Sequence, residues 1–259
     1  MKILAMDTSN QPLSVAVLED SRVLATETVT VEQKHAAYLA PIIERLMATS
    51  GVKPADLDRV VVADGPGSYT GLRIGVTTAK TLAATLNIEL VGVSSLQTLA
   101  ANISHENQLV AVLFDGRNDN VFAGVYRIHQ GVPTEVTADA HQPFDQFLET
   151  LDKAHESLIV LGDTAHFEDR LVAQLGDRVT VLNPVFSLPQ ATQVARIAQQ
   201  LPAIKDVDGF VPRYLRLTKA EADWQAQHPK EDGHSYVEKN LKAGISSFSK
   251  FVIRDLKMH

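Results

Sequence analysis

A buried-strand run, Val60-Val61-Val62-Ala63, breaks directly into Asp64-Gly65-Pro66-Gly67-Ser68-Tyr69-Thr70-Gly71-Leu72-Arg73, and a helical pattern then continues to about Leu86. Strand, tight turn and helix in immediate succession constrain the chain more than any other feature. Two glycines around a proline turn the backbone sharply and let it approach another group closely. Amides at the start of the following helix have no partners and sit at the positive end of its dipole, so they attract anions. Two readings follow. The turn is a phosphate cradle, or it is a rigid hinge that presents the next helix to a partner.

The flanking pattern is α/β. Ile3 to Met6 is an apolar run ending in Asp7, a polar turn covers Thr8 to Gln11, Leu13 to Val17 alternates as a strand does, and Val23 to Val31 reads as a third strand. A helix follows from about Gln33 to Thr49, with Leu39, Ile42, Ile43, Leu46 and Met47 on one stripe. Pro41 inside it is expected to bend or delay the helix, and Gly51 stands in the place of a left-handed cap. Leu90 to Val93 is a further strand, and Ser94 or Ser95 caps a helix over Leu96 to Ile103.

Near residue 105 the pattern restarts. Leu109 to Phe114 is apolar and ends in Asp115, a polar turn covers Gly116 to Asn120, and Val121 to Tyr126 is a strand. Asp7 and Asp115 hold matching places, which reads either as a duplicated domain or as two unrelated hairpins. Helices are expected over His141 to Leu151, His166 to Leu175 and Pro189 to Leu201, with strands at Leu158 to Leu161 and Val179 to Leu182. The domain reading is a first lobe over 1–105, completed by the helix near 189–201, and a smaller second lobe over 106–217. A polar tail over 218–259, containing Trp224 and Pro229, is expected to be weakly ordered.

Composition removes several chemistries. The chain has no cysteine, which excludes disulfides and thiol nucleophiles. Its formal charge of −7 disfavours unaided binding to nucleic acid or an anionic membrane. The first residues turn acidic too soon for a signal peptide, and no apolar run approaches the roughly 20 residues that span a bilayer. A cytosolic protein is expected.

The glycine turn lacks the Lys-Ser/Thr pair of a P-loop and is not a dinucleotide fingerprint. Metal is disfavoured, because Leu39 occupies the position that would complete a His-x-x-x-His pair from His35 and catalytic zinc needs about three protein ligands. Ser68 does not sit in Gly-x-Ser-x-Gly and reads as a turn or cap residue. Gly71, Gly75, Ala79 and Ala83 recur every four residues, and such a row lets another helix come close. Leu72, Val76 and Leu86 add apolar area, while Arg73 and Lys80 are placed to rim a contact. The expectation is a split helix, with one face on its own sheet and another, beside part of the 36–47 stripe, left for a partner. Substitution Gly75→Leu should then break docking and leave the fold intact.

At these residues the chain resembles a known family. Met1 to Ser9, Asp64 to Gly75 and Val91-Gly92-Val93-Ser94-Ser95-Leu96 look like the bacterial TsaB (YeaZ) family. Asp115-Gly116-Arg117 with Val121-Phe122 resembles its second hairpin, and Pro212-Arg213-Tyr214-Leu215-Arg216 its closing signature; the likeness covers about 1–217. It implies a two-lobed α/β fold of the actin-like ATPase superfamily (ribonuclease H-like), each lobe a mixed sheet flanked by helices. It implies a non-catalytic subunit, with no cofactor or metal of its own, for installing threonylcarbamoyl on adenosine 37 of ANN-decoding tRNAs. The implied partners are a TsaD-type catalytic subunit and a TsaE-type ATPase, with a homodimer when TsaD is absent and tRNA reached only through the complex. The implied docking face comprises His35, Tyr38, Leu39, Ile42, Leu46, Tyr69, Leu72, Arg73, Gly75, Val76, Ala79, Lys80 and Ala83. Asp7, Thr8, Gly65, Gly67, Ser68 and Asp115 form a candidate vestigial nucleotide site. The competing reading is an ATP-dependent small-molecule kinase or ATPase with Asp7 and Asp115 on Mg²⁺; a metallopeptidase stands third.

Overall fold

Two five-stranded sheets of the same order carry the chain. The computed structural model describes residues 1–30 and 34–216. In the first sheet β1 (Lys2–Asp7), β2 (Pro12–Glu19) and β3 (Arg22–Thr30) form an antiparallel meander. Strand β4 (Arg59–Gly65) pairs parallel to β1, and β5 (Glu89–Ser94) parallel to β4, giving the order β3-β2-β1-β4-β5. The second sheet repeats this with β6 (Leu109–Arg117), β7 (Asn120–His129) and β8 (Val132–Pro143) as the meander and β9 (Leu158–Gly162) and β10 (Val179–Val181) as the parallel strands. Asp7 and Asp115 lie near the ends of the two central strands, β1 and β6.

Strand alternation decides which helices pack where. Successive side chains point to opposite faces. Leu4 and Met6 therefore join one core with α1 (His35–Ser50) and α2 (Tyr69–Leu86). Ile3 and Ala5 join another with α6 (Ala191–Ala198). In the second sheet α4 (Phe144–Lys153) and α5 (Glu168–Leu175) cover one face and α3 (Ser95–Ala100) the other. Both sheets are thus sandwiched by helices, the mixed-sheet α/β arrangement expected from the sequence. Among the described residues no helix is long and apolar enough to cross a membrane.

Several local expectations are met. Gly51 adopts φ 69° and caps α1. The Ser94 hydroxyl accepts from the Gln97 amide and caps α3. Helix α1 continues through Pro41, which is exposed at its outer surface. The helix expected from His141 starts instead at Phe144, because β8 extends to Pro143. Strand β8 is missing from the sequence reading: it is an edge strand, and its short alternation over Val136 to His141 is built from small or part-exposed residues. Val31, Gln33 and the tail over 218–259, with Trp224 and Pro229, lie outside the described residues.

Candidate functional site

The small-residue row of α2 faces inward. Gly71, Gly75, Ala79 and Ala83 are all buried, as are Leu72 and Val76. The Thr8 hydroxyl donates to the Gly71 carbonyl at 2.8 Å. A Cβ on residue 71 would collide with the Thr8 carbonyl oxygen, and one on residue 75 with the Thr8 hydroxyl, Val62 lying just behind. The row therefore seats α2 on this chain's own β1 and β4. That corrects the expectation that it offers a close approach to a partner helix, and with it the expectation that Gly75→Leu leaves the fold intact. On α1, Leu39, Ile42 and Leu46 are buried in the same core, and His35 is 9 % exposed with its Nε2 unpaired.

What stays outside is the seam between the two helices. Ala36, Leu39, Ala40, Arg73, Ile74, Thr77 and Thr78 line a groove of about 350 Å³. Tyr38 and Tyr69 are 42 % and 48 % exposed. Arg73 donates to the Tyr69 hydroxyl at 3.0 Å, with its guanidinium 5.5 Å from the Tyr69 ring centre. Tyr69 stacks on Tyr214 at 5.0 Å. Lys80 turns away from the rim, donating to the carbonyls of Asp208 and Phe210 at 2.8 Å each.

The glycine turn is packed under the first hairpin. The Ser68 amide donates to the Ser9 carbonyl at 2.7 Å, Gly67 lies over the same carbonyl, and the Ser68 hydroxyl accepts from the Gly71 amide at 3.3 Å. Ser68 is thus the cap of α2, and two amides of the turn, those of Ser68 and Gly71, are taken by the chain itself. Asp7 is fully enclosed, with one carboxylate oxygen accepting from the Ser9 amide and hydroxyl and the other unpaired. Burial pushes its carboxyl up, against the Ser9 hydrogen bonds and the His35 charge. Thr8 is spent on Gly71. Asp115 is exposed instead, accepting from the Arg117 amide at 2.8 Å while its own amide donates to Asp163. Asp7 is turned inward and Asp115 outward, so they do not present one open cation site. Among the described residues no group of three or more His, Asp or Glu is placed to hold a metal ion.

A second polar cluster was not legible in the sequence. Arg213 reaches Asp64 at 3.2 Å and Asp139 at 3.5 Å, and Asp139 also accepts from Ser94 and Tyr126. These five residues come from five separate segments and follow no periodicity.

A relative from Bacillus subtilis (strain 168), named tRNA threonylcarbamoyladenosine biosynthesis protein TsaB, is 38 % identical over 225 residues, which is 86 % of this chain and 98 % of that protein. The chain belongs to the TsaB family. A TsaB from Escherichia coli (strain K12) is 33 % identical over 129 residues, 49 % of this chain and 55 % of its own length. A family model described as TsaD, tRNA N6-adenosine threonylcarbamoyltransferase, matches residues 26–224 of this TsaB-family chain. Among solved structures, an uncharacterized Pseudomonas aeruginosa protein with similarity to peptidase YEAZ superposes with a TM-score of 0.73 at 27 % identity, covering 83 % of this chain and 99 % of that one. YeaZ from the same organism gives 0.69 at 26 % identity, with the same coverage.

Proposed function

We propose that this TsaB-family chain serves N6-threonylcarbamoylation of adenosine 37 in ANN-decoding tRNAs, as a non-catalytic subunit docking a TsaD-type catalytic subunit. The match over 98 % of the length of a named TsaB carries the assignment to that pathway. The α1–α2 seam supports the mode of action. It leaves Tyr38, Tyr69, Ala36 and Ala40 outside, next to a groove, while Asp7 and Thr8, which an ATP enzyme would aim at substrate, are turned into the core. Exposed aromatic side chains of this kind are frequent binding anchors. The docking residues are thus Tyr38, Tyr69, Arg73 and the groove walls, with Leu39, Ile42, Leu46, Leu72, Gly75, Val76, Ala79 and Ala83 supporting them from beneath. A TsaE-type ATPase joins the pair, and the same face forms a homodimer when TsaD is absent. With a net charge of −7 the chain meets tRNA only through the complex, in the cytoplasm. We assign the two sheets to lobes over 1–105, completed by α6 and by the 204–214 segment that packs on the first core, and over the remainder of 106–217.

The test is to mix the purified chain with a TsaD-type subunit and measure mass by light scattering, then to assay tRNA modification with and without the chain. A heterodimer at micromolar concentration and modification that depends on it are expected. Mg-ATP turnover by the isolated chain, lost on Asp7→Ala, would instead favour the kinase reading.

A further inference from the structure

The chain after α6 returns across the first sheet as a strap. The Ile204 amide donates to the Leu90 carbonyl at 2.8 Å and the Arg213 amide to the Asp64 carbonyl at 2.7 Å. Lys80 holds two carbonyls between them, and Ile204, Val207 and Phe210 pack on the first core. The fit at the far end is close: a Cβ on Gly65 would lie 2.6 Å from the Arg213 carbonyl oxygen. By its main chain the strap belongs to the first sheet.

The Arg213 side chain does something else. One guanidinium nitrogen lies 3.2 Å from Asp64 at the end of β4, in the first sheet; another lies 3.5 Å from Asp139 on β8, in the second. Both carboxylates are enclosed, with side-chain exposures of 10 % and 4 %. Asp139 is held from both sides as well, by Ser94 at the end of β5 and by the Tyr126 hydroxyl on β7. Strap, first sheet and second sheet therefore meet at one guanidinium.

We propose that Arg213 is an ionic latch joining the two sheets through Asp64 and Asp139, and that the seating of residues 204–214 depends on it. Two buried acids share one cation. Removing the cation leaves two facing carboxyls without a counter-charge, which is the costly way to break a buried pair. Arg213 itself is 41 % exposed, so the enclosure lies on the side of the acids; in a pair such as Arg127 with Glu156 the carboxylate is 51 % exposed, has water as an alternative partner and the pair contributes little. The latch also bears on docking. Tyr214 follows Arg213 and stacks on Tyr69 at the edge of the α1–α2 seam, so release of the strap removes that support. This last step rests on the docking reading above; the latch itself does not.

Hydrogen exchange of the full chain tests the latch without a partner, comparing Arg213→Gln, Asp139→Asn and the double variant. Amides of 204–214 and of β8 around Asp139 should exchange about tenfold faster or more in each single variant, the ratio a charge-assisted bond is worth. Amides of α4 and α5 should be unchanged, and the double variant should go no further than Arg213→Gln. Unchanged protection of the strap, equal acceleration everywhere, or multiplying effects in the double variant would each overturn the latch. Should Arg213→Gln fail to fold, Asp139→Asn, which keeps oxygen and nitrogen where Ser94 and Tyr126 bond, decides alone. Weaker TsaD binding by Arg213→Gln is expected in a parallel measurement. Loss of exchange protection without loss of binding would overturn only the coupling to docking; a wild-type chain that does not bind TsaD would overturn the docking reading and leave the latch standing.

Discussion

Thr8 donates its hydroxyl to the carbonyl of Gly71 while its own carbonyl oxygen occupies the space a side chain on residue 71 would need. The first hairpin and the start of α2 are therefore fitted to each other at backbone distance. Gly71→Ala forces the two apart and should cost about 2 kcal/mol or more, lowering Tm by about 4–8 °C. Gly75→Ala meets the engaged Thr8 hydroxyl and should also destabilise. Thermal unfolding by circular dichroism checks both. A normal Tm would mean that the row does not seat the helix.

Asp7 is the opposite case, a residue whose replacement should help. Its enclosed carboxyl has one unpaired oxygen, and burial raises its pKa above the ordinary 3.8. The folded state then holds the proton more tightly than the unfolded state, so this group's contribution falls as pH rises from 3.8 through the raised value. Asp7→Asn keeps an oxygen for the Ser9 donors and carries no charge. It should stabilise the fold at pH 7, and the gain should fade as pH drops toward 3.8. Urea unfolding at several pH values reads this directly.

Ala40 and Thr77 line or flank the groove from opposite helices, and both are exposed. Ala40→Glu and Thr77→Glu should each leave stability within about 0.5 kcal/mol. Each should weaken association with a TsaD-type subunit about tenfold or more, since an unpaired charge would be buried on docking. Calorimetric titration measures this. Full affinity in both variants would move the docking face elsewhere.

Ser68 sits in the turn as the cap of α2. Ser68→Ala should cost about 1 kcal/mol, the usual worth of such a cap, with no change in partner affinity. A much larger loss of tRNA modification at unchanged stability would give the hydroxyl a direct role instead.

The strands with apolar runs, the turns at Gly51 and Ser94 and the matched aspartates were legible because each depends on local chemistry: periodicity, a positive φ, a side-chain cap. The direction of the Gly71–Ala83 row was not. A stripe of small residues says that something comes close, and nothing in its spacing says whether that is a foreign helix or Thr8 sixty residues earlier. Arg213, Asp64 and Asp139 were hidden for the same reason: their meeting is a product of topology. Strand β8 is hard to read because its alternating residues, Val136 to His141, are small or part-exposed, as an edge strand allows.

Helix α6 closes the face of the first sheet opposite α1 and α2, yet it is made after the whole second sheet. Its Ala191 amide donates to the Ser14 hydroxyl, and Arg59 donates back to the Ala198 carbonyl. A nascent chain emerging from the ribosome thus carries an N-terminal sheet with one bare apolar side until about residue 200 is free. Loop closure over that span slows the last step of folding relative to local hairpins. The exposed Ile3, Ala5 and Val61 face is then where chaperones, or premature association between nascent chains, would act first.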